Sequence, residues 1–131
     1  MRLLLDTHAF IWWFEGSNRL PATVREAIGV SANEVFVSAA TAWEIATKHR
    51  LGKLKGVDEL ALSLPGYIAS QRFESLPVTV EDGIRAGALP GPHRDPFDRM
   101  LVAQALGTDL ALVSGESLFD QFGVRRLWEG G

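Results

Sequence analysis

The sequence predicts an α/β fold: a three-layer α/β/α sandwich around a central, mostly parallel sheet of four or five strands. Two observations predict it. Short apolar runs alternate with longer capped segments along the whole chain. Strands alternating with helices imply parallel strands with helices on both faces. The 131 residues suit one domain over 1–131, with no repeats, low-complexity segments or linker.

The elements follow in order. RLLL (2–5) is apolar, ends at Asp6 and reads as a buried strand. Residues 7–14 form a short helix, and Pro21 stands near the start of the next, which runs to about Gly29. EVFVS (34–38) is a second buried strand. Ser38 then caps the helix AATAWEIATKHRLG, which Gly52 stops. Residues 57–71 are helical, with Pro65 as a kink or break. FESLPV (73–78) is a third strand, and Thr79 caps a helix over 79–89. After a loop at 90–94, Asp95-Pro96 opens a helix to about Leu106. DLALVS (109–114) is a fourth strand, ESLFDQF a short helix and VRRLW an edge strand.

Composition excludes several classes of function. There is no cysteine, so disulfides, thiolate zinc sites and cysteine nucleophiles are out, and a cytoplasmic location is compatible. Sixteen acids against 13 Lys and Arg give a formal charge of -3, which argues against bulk electrostatic binding of nucleic acid. A local acidic site beside local basic patches stays open. No apolar run approaches the ~20 residues of a membrane span. Asp6 interrupts MRLLLDTHAFIWWF too early for a signal peptide. No membrane partner is expected.

Four acids are placed toward one edge. In an open parallel sheet, sites form at the carboxyl ends of the strands. Asp6 directly follows strand one, and Glu116 follows strand four by two residues. Glu44 is on the helix after strand two. Asp98 is in the first turn of the helix leading into strand four, whose start lies near the same edge. With Asp95 as N-cap and Pro96 as N1, Asp98 is N3. Counting on gives Leu101, Val102 and Ala105, the core-facing stripe. A lone ionised carboxylate on such a stripe is very costly, so it needs a partner. A divalent cation shared by several acids supplies one, and oxygen-only ligands suit Mg²⁺ or Mn²⁺. Each acid also has a local reading. Asp6 can cap the helix from Thr7, and Glu44 can pair with Lys48 at i+4 on a solvated face. Asp98 can complete a capping-box-like pair with Asp95, and Ser114 can cap at Glu116.

LLLDTHAFIWW, SAATAWEIATKHRLGKL, HRDPFDRMLVAQA and LALVSGESLFDQFGVRRLW together resemble PIN-domain proteins, specifically VapC-type toxins of bacterial toxin–antitoxin systems. The most specific piece is DPFDRMLVAQA. The resemblance implies a Mg²⁺- or Mn²⁺-dependent ribonuclease, inhibited by a cognate VapB-type antitoxin and forming a homodimer. It implies that Asp6, Glu44 and Asp98 are the first three catalytic, metal-binding acids. The family's fourth acid is usually an aspartate; here that position holds Glu116, one methylene longer. Asp120 is the weaker substitute. The expected chemistry is attack on phosphorus by water made acidic on a metal.

An acidic cleft repels RNA, so its rim needs cations. Lys48, Arg50, Lys53, Arg94 and Arg99 are the candidates, able to hold phosphates without reading sequence. The local alternative for the lysine-rich run is favourable charge at a helix C-terminus. His8 and His93 read as surface histidines. Thr7, Ser38 and Ser114 can donate hydrogen bonds at the cleft, with helix capping the default for both serines. Trp12, Trp13 and Phe14 cannot all face inward from one helix, so at least one is exposed or meets a partner. The competing functions are a PIN-fold RNA- or protein-binding module with impaired catalysis, and an acidic-pocket phosphotransfer receiver, against which the lysine-free VRRLWEGG counts.

Overall fold

The computed structural model describes residues 1–129. Among these residues, five strands form one all-parallel sheet. They are β1 (Arg2–Leu5), β2 (Glu34–Ser38), β3 (Glu74–Leu76), β4 (Ala111–Val113) and β5 (Arg126–Leu127). Their order is β3-β2-β1-β4-β5, so the chain winds outward from β1 in one direction and then in the other. This order differs from the 2-1-3-4-5 of flavodoxin-like receivers. The reversal opens a crevice where β1 and β4 lie side by side, at their carboxyl ends.

Among the described residues, seven α-helices surround the sheet: α1 (Thr7–Glu15), α2 (Ala22–Gly29), α3 (Ala39–Arg50), α4 (Asp58–Leu62), α5 (Leu64–Ser70), α6 (Val80–Ala88) and α7 (Pro96–Thr108). Period-2 alternation in β1 explains the layers. Leu3 and Leu5 join Phe10, Val24, Ile45, Leu60 and Ile68 in one core, while Leu4 joins Leu101, Val102, Ala105 and Phe119 on the opposite face.

The departures from expectation have local causes. The helix over 57–71 is two helices, because Ser63 leaves helical geometry (ψ 27°) and Pro65 opens α5, where it needs no donor. Strand four is shorter than 109–114. Helix α7 runs on to Thr108, and Asp109 caps it in the left-handed region (φ 55°), which no strand residue adopts. The short segment after β4 is a 3-10 helix, Ser117–Phe122, rather than an α-helix. Strand three shrinks to three residues, and β5 to two.

Candidate active site

Asp6 leaves the end of β1, where its backbone N–H bonds Val113 of the neighbouring strand. It caps α1: Oδ1 accepts from the Ala9 N–H at 2.7 Å. The residue is only 7% exposed. Burial pushes its carboxyl up to about 6, partly offset by hydrogen bonds from Ser114 and Ala9. The capping role and the cleft position therefore coexist in one side chain.

Glu44, one turn into α3, is 4% exposed. The Thr7 hydroxyl donates to its Oε1 at 2.6 Å, and the Lys48 ammonium bonds Oε2. The i+4 pair expected on a solvated face is thus real, but its acid is buried. Burial alone lowers the Lys48 pKa; the hydrogen bond and charge of Glu44, with Asp95 and Asp98, outweigh it, so Lys48 titrates above its ordinary value.

Asp98 stands at N3 of α7 as counted. Its N–H donates to the N-cap Asp95 Oδ1 at 3.0 Å. Its carboxylate does not complete a capping box; Oδ2 meets His93 Nε2 at 3.0 Å. Leu101, Val102 and Ala105 below it are buried, whereas Asp98 itself is half-buried where their stripe reaches the cleft. Burial raises its pKa, with Asp95 and Glu44 adding to the rise and His93 opposing it. Glu116 precedes the 3-10 helix and is exposed; its N–H donates to Ser114 Oγ at 3.0 Å. Asp6, Thr7, Glu44, Lys48, Asp98 and Glu116 line one cleft of about 110 Å³.

The PIN domain family matches residues 3–124. The chain belongs to the PIN-domain family. No curated protein matches it significantly. Similar solved structures include a chain of VapBC2 from Rickettsia felis bound to a promoter DNA fragment, with a TM-score of 0.73 and 15% identity over 98% of this chain and 100% of that one. A chain of DNA-bound VapBC from Salmonella typhimurium gives 0.71 and 20% over 97% of each. One of VapBC-1 from nontypeable Haemophilus influenzae gives 0.69 and 18%, again over 97% of each.

Within this PIN domain the four acids offer oxygen donors, the kind that hard divalent cations take, with the His8 imidazole also on the cleft wall. Among the described residues, no group of three or more His, Asp or Glu side chains is already arranged as a metal cage. The hydrogen bonds say why: Glu44 is turned to Thr7 and Lys48, and Asp98 to His93. Asp120 is excluded from the cleft by a two-pronged pair with Arg126, at 2.8 and 3.1 Å, which also lowers its pKa.

The candidate cations divide. Lys48 lines the cleft, whereas Arg50, Lys53 and Arg94 are exposed and do not line it. Arg99 is not free to meet phosphate; its guanidinium donates to the carbonyls of Ala86, Leu89 and His93 and pins the 86–93 loop to α7. His93 departs from the expected surface position. It is largely buried, packed against Phe119 and Phe122 while holding Asp98. His8 is exposed, as expected. Ser38 caps α3 and donates to buried Gln104, which makes it structural. The Asp-Pro spacing in HRDPFDR pointed at the helix cap; the five-residue step from His93 to Asp98 was the signal left unread.

Proposed function

We propose that this chain is a divalent-metal-dependent endoribonuclease and the toxin of a VapBC-type toxin–antitoxin pair, acting in the cytoplasm. The observation that carries the reading is the gathering of Asp6, Glu44, Asp98 and Glu116, from four distant parts of the chain, in one cleft at the sheet's switch point. The PIN-family membership and the likeness to VapBC chains support it.

Asp6, Asp98 and Glu116, with Glu44 behind them, would hold Mg²⁺ or Mn²⁺. Such an ion lowers the pKa of water and neutralises charge on the phosphate. Thr7 and Lys48 fix the orientation of Glu44, and His93 fixes that of Asp98. Ser114 braces Asp6 from below. Arg50, Lys53 and Arg94 draw the RNA backbone to the rim, while Glu116, on an exposed turn, can adapt to its extra methylene.

Two protein partners belong to this reading: a VapB-type antitoxin and a second copy of the chain. An exposed apolar surface supports them: Trp43, 62% exposed and edge-on to Phe97 at 4.7 Å, lines one groove with Val78 and Met100 and another with Leu62. No helix among the described residues is long and apolar enough to cross a membrane.

The test is cleavage of a structured RNA with Mn²⁺, with chelator, and with Asp6→Asn protein. Cleavage by the wild type alone, and only with metal, is expected. One observation favours the rival binding module: both Glu44 oxygens are already engaged. RNA binding without metal-dependent cleavage would establish that rival.

A further inference from the structure

The aromatic run at Trp12-Trp13-Phe14 is only partly consumed by the core. Trp13 donates Nε1–H to Gln71 at 2.9 Å and packs on Phe73; Phe14 meets Tyr67 edge-on at 5.1 Å. Trp12, like Trp128, is partly buried against this core, but its ring also meets His8 and Trp128. It is one turn after His8 on the same face of α1, and their ring centroids are 5.6 Å apart at a shallow 32°. Trp128, just past β5, brings a third ring to within 6.1 Å of Trp12.

The three rings edge a second cleft, of about 310 Å³, with Arg19 and Gly115 also on its wall and Asp6 and Glu116 shared with the carboxylate cleft. Gly115 makes the arrangement possible. A Cβ there would stand 2.9 Å from the Trp128 indole, so only glycine lets that ring lie against the turn after β4. Nothing in the metal chemistry calls for these rings.

We propose that Trp12, Trp128 and His8 form a stacking shelf for one nucleobase of the RNA strand, with Arg19 holding the adjoining phosphate. The inference rests on the nuclease reading and adds a substrate subsite to it. Three features favour a base here. Aromatic faces stack on any base, which suits a sequence-tolerant contact. Asp6 and Glu116 border the cleft and repel a phosphate, whereas a neutral base is indifferent to them and its N–H groups can meet a carboxylate. The two clefts share Asp6, His8 and Glu116, so a base on the shelf belongs to a nucleotide beside the phosphate under attack. Arg19 disfavours a cationic peptide as the occupant.

The test is titration of full-length protein with single-stranded octa-adenylate in chelator, where no cleavage occurs, followed by fluorescence of a dye on the oligonucleotide. Trp12→Leu and Trp128→Leu should each weaken binding roughly 5- to 100-fold, and an abasic octamer should bind wild type and variants alike. Trp12→Phe, which keeps a ring, should retain most of the affinity, and Arg19→Gln should lower the slope of log K against log salt by about one. If Trp12→Leu fails to fold, Trp128→Leu and Trp12→Phe decide. Equal binding of octa-adenylate by wild type and both leucine variants would overturn the shelf, as would equal losses with the abasic strand. Loss of affinity for a tri-arginine peptide alone would assign the shelf to a protein partner and overturn it too. These failures leave wild-type cleavage intact; a wild type that neither binds nor cleaves RNA removes the nuclease reading along with the shelf.

Discussion

Asp6 serves two purposes whose physical demands conflict. As an N-cap it accepts a backbone N–H, which favours the charged form; as a buried group it is pushed toward neutrality, and burial wins. The consequence for stability has a definite sign. The folded protein holds the Asp6 proton up to about pH 6, while the unfolded chain releases it near its ordinary value of 3.8. Between those values the folded state binds more protons, so metal-free stability falls as pH rises and the full penalty is present above pH 6. Asparagine caps equally well and carries no charge. In chelator, Asp6→Asn should therefore be more stable than wild type at pH 7.5, by on the order of 2–3 kcal/mol, with the gap closing below pH 4; urea unfolding at both pH values checks it. His93 makes a different prediction. It orients Asp98 from outside the cleft, so His93→Gln should weaken Mn²⁺ binding about 10- to 100-fold and, because the ring packs on Phe119 and Phe122, also lower the melting temperature. Calorimetric titration reads the first, and circular dichroism the second. Asp6 and Asp98 were visible in the sequence because each breaks an apolar pattern at a strand end or helix start. His93 was not, because a histidine in a Pro-Gly loop carries no period that reveals burial.

At the scale of elements, α7 does most to shape the site. Its N-terminus presents Asp98, and its middle is tied to the sheet by Gln104, which is fully buried. The Ser38 hydroxyl donates to Gln104 Oε1 at 2.5 Å, and Gln104 Nε2 donates to the Pro77 carbonyl at 3.1 Å. One amide thus connects the ends of β2 and β3 to the helix carrying Asp98. Gln104→Leu keeps the volume but strands buried partners, so it should cost about 1–3 kcal/mol and lower cleavage through misplacement of Asp98; denaturant unfolding beside an activity assay tests this. The same helix shows the limits of sequence reading. Its start was legible from Asp95-Pro96, because cap and fixed φ are local properties. Its end was not, because the left-handed turn at Asp109 is a non-glycine conformation that no local pattern announces. Gln104 reads as an ordinary polar residue until tertiary packing encloses it.

At the scale of the molecule, the alternation of strands and helices was enough to predict parallel pairing and helices on both faces of the sheet. The order β3-β2-β1-β4-β5 depends on which loops cross which face, and this was outside the reach of periodicity. That order makes the ends of β1 and β4 adjacent, which turns residues over a hundred positions apart, Asp6 and Glu116, into walls of one cleft. Packing thereby sets acids side by side and takes some of them out of water; the carboxyls of buried Asp6 and half-buried Asp98 are raised chiefly by burial, with neighbouring acids adding to the rise. In the proposed function a hard divalent ion is the partner that offsets this cost. The most direct measurement is Mn²⁺ binding followed by the electron paramagnetic resonance of the free ion, with wild type, Asp6→Asn and Asp98→Asn side by side. Saturable uptake by the wild type, lost or strongly weakened in both variants, is the predicted result; a wild type that leaves the Mn²⁺ signal untouched, or variants that bind as well as it does, would contradict it.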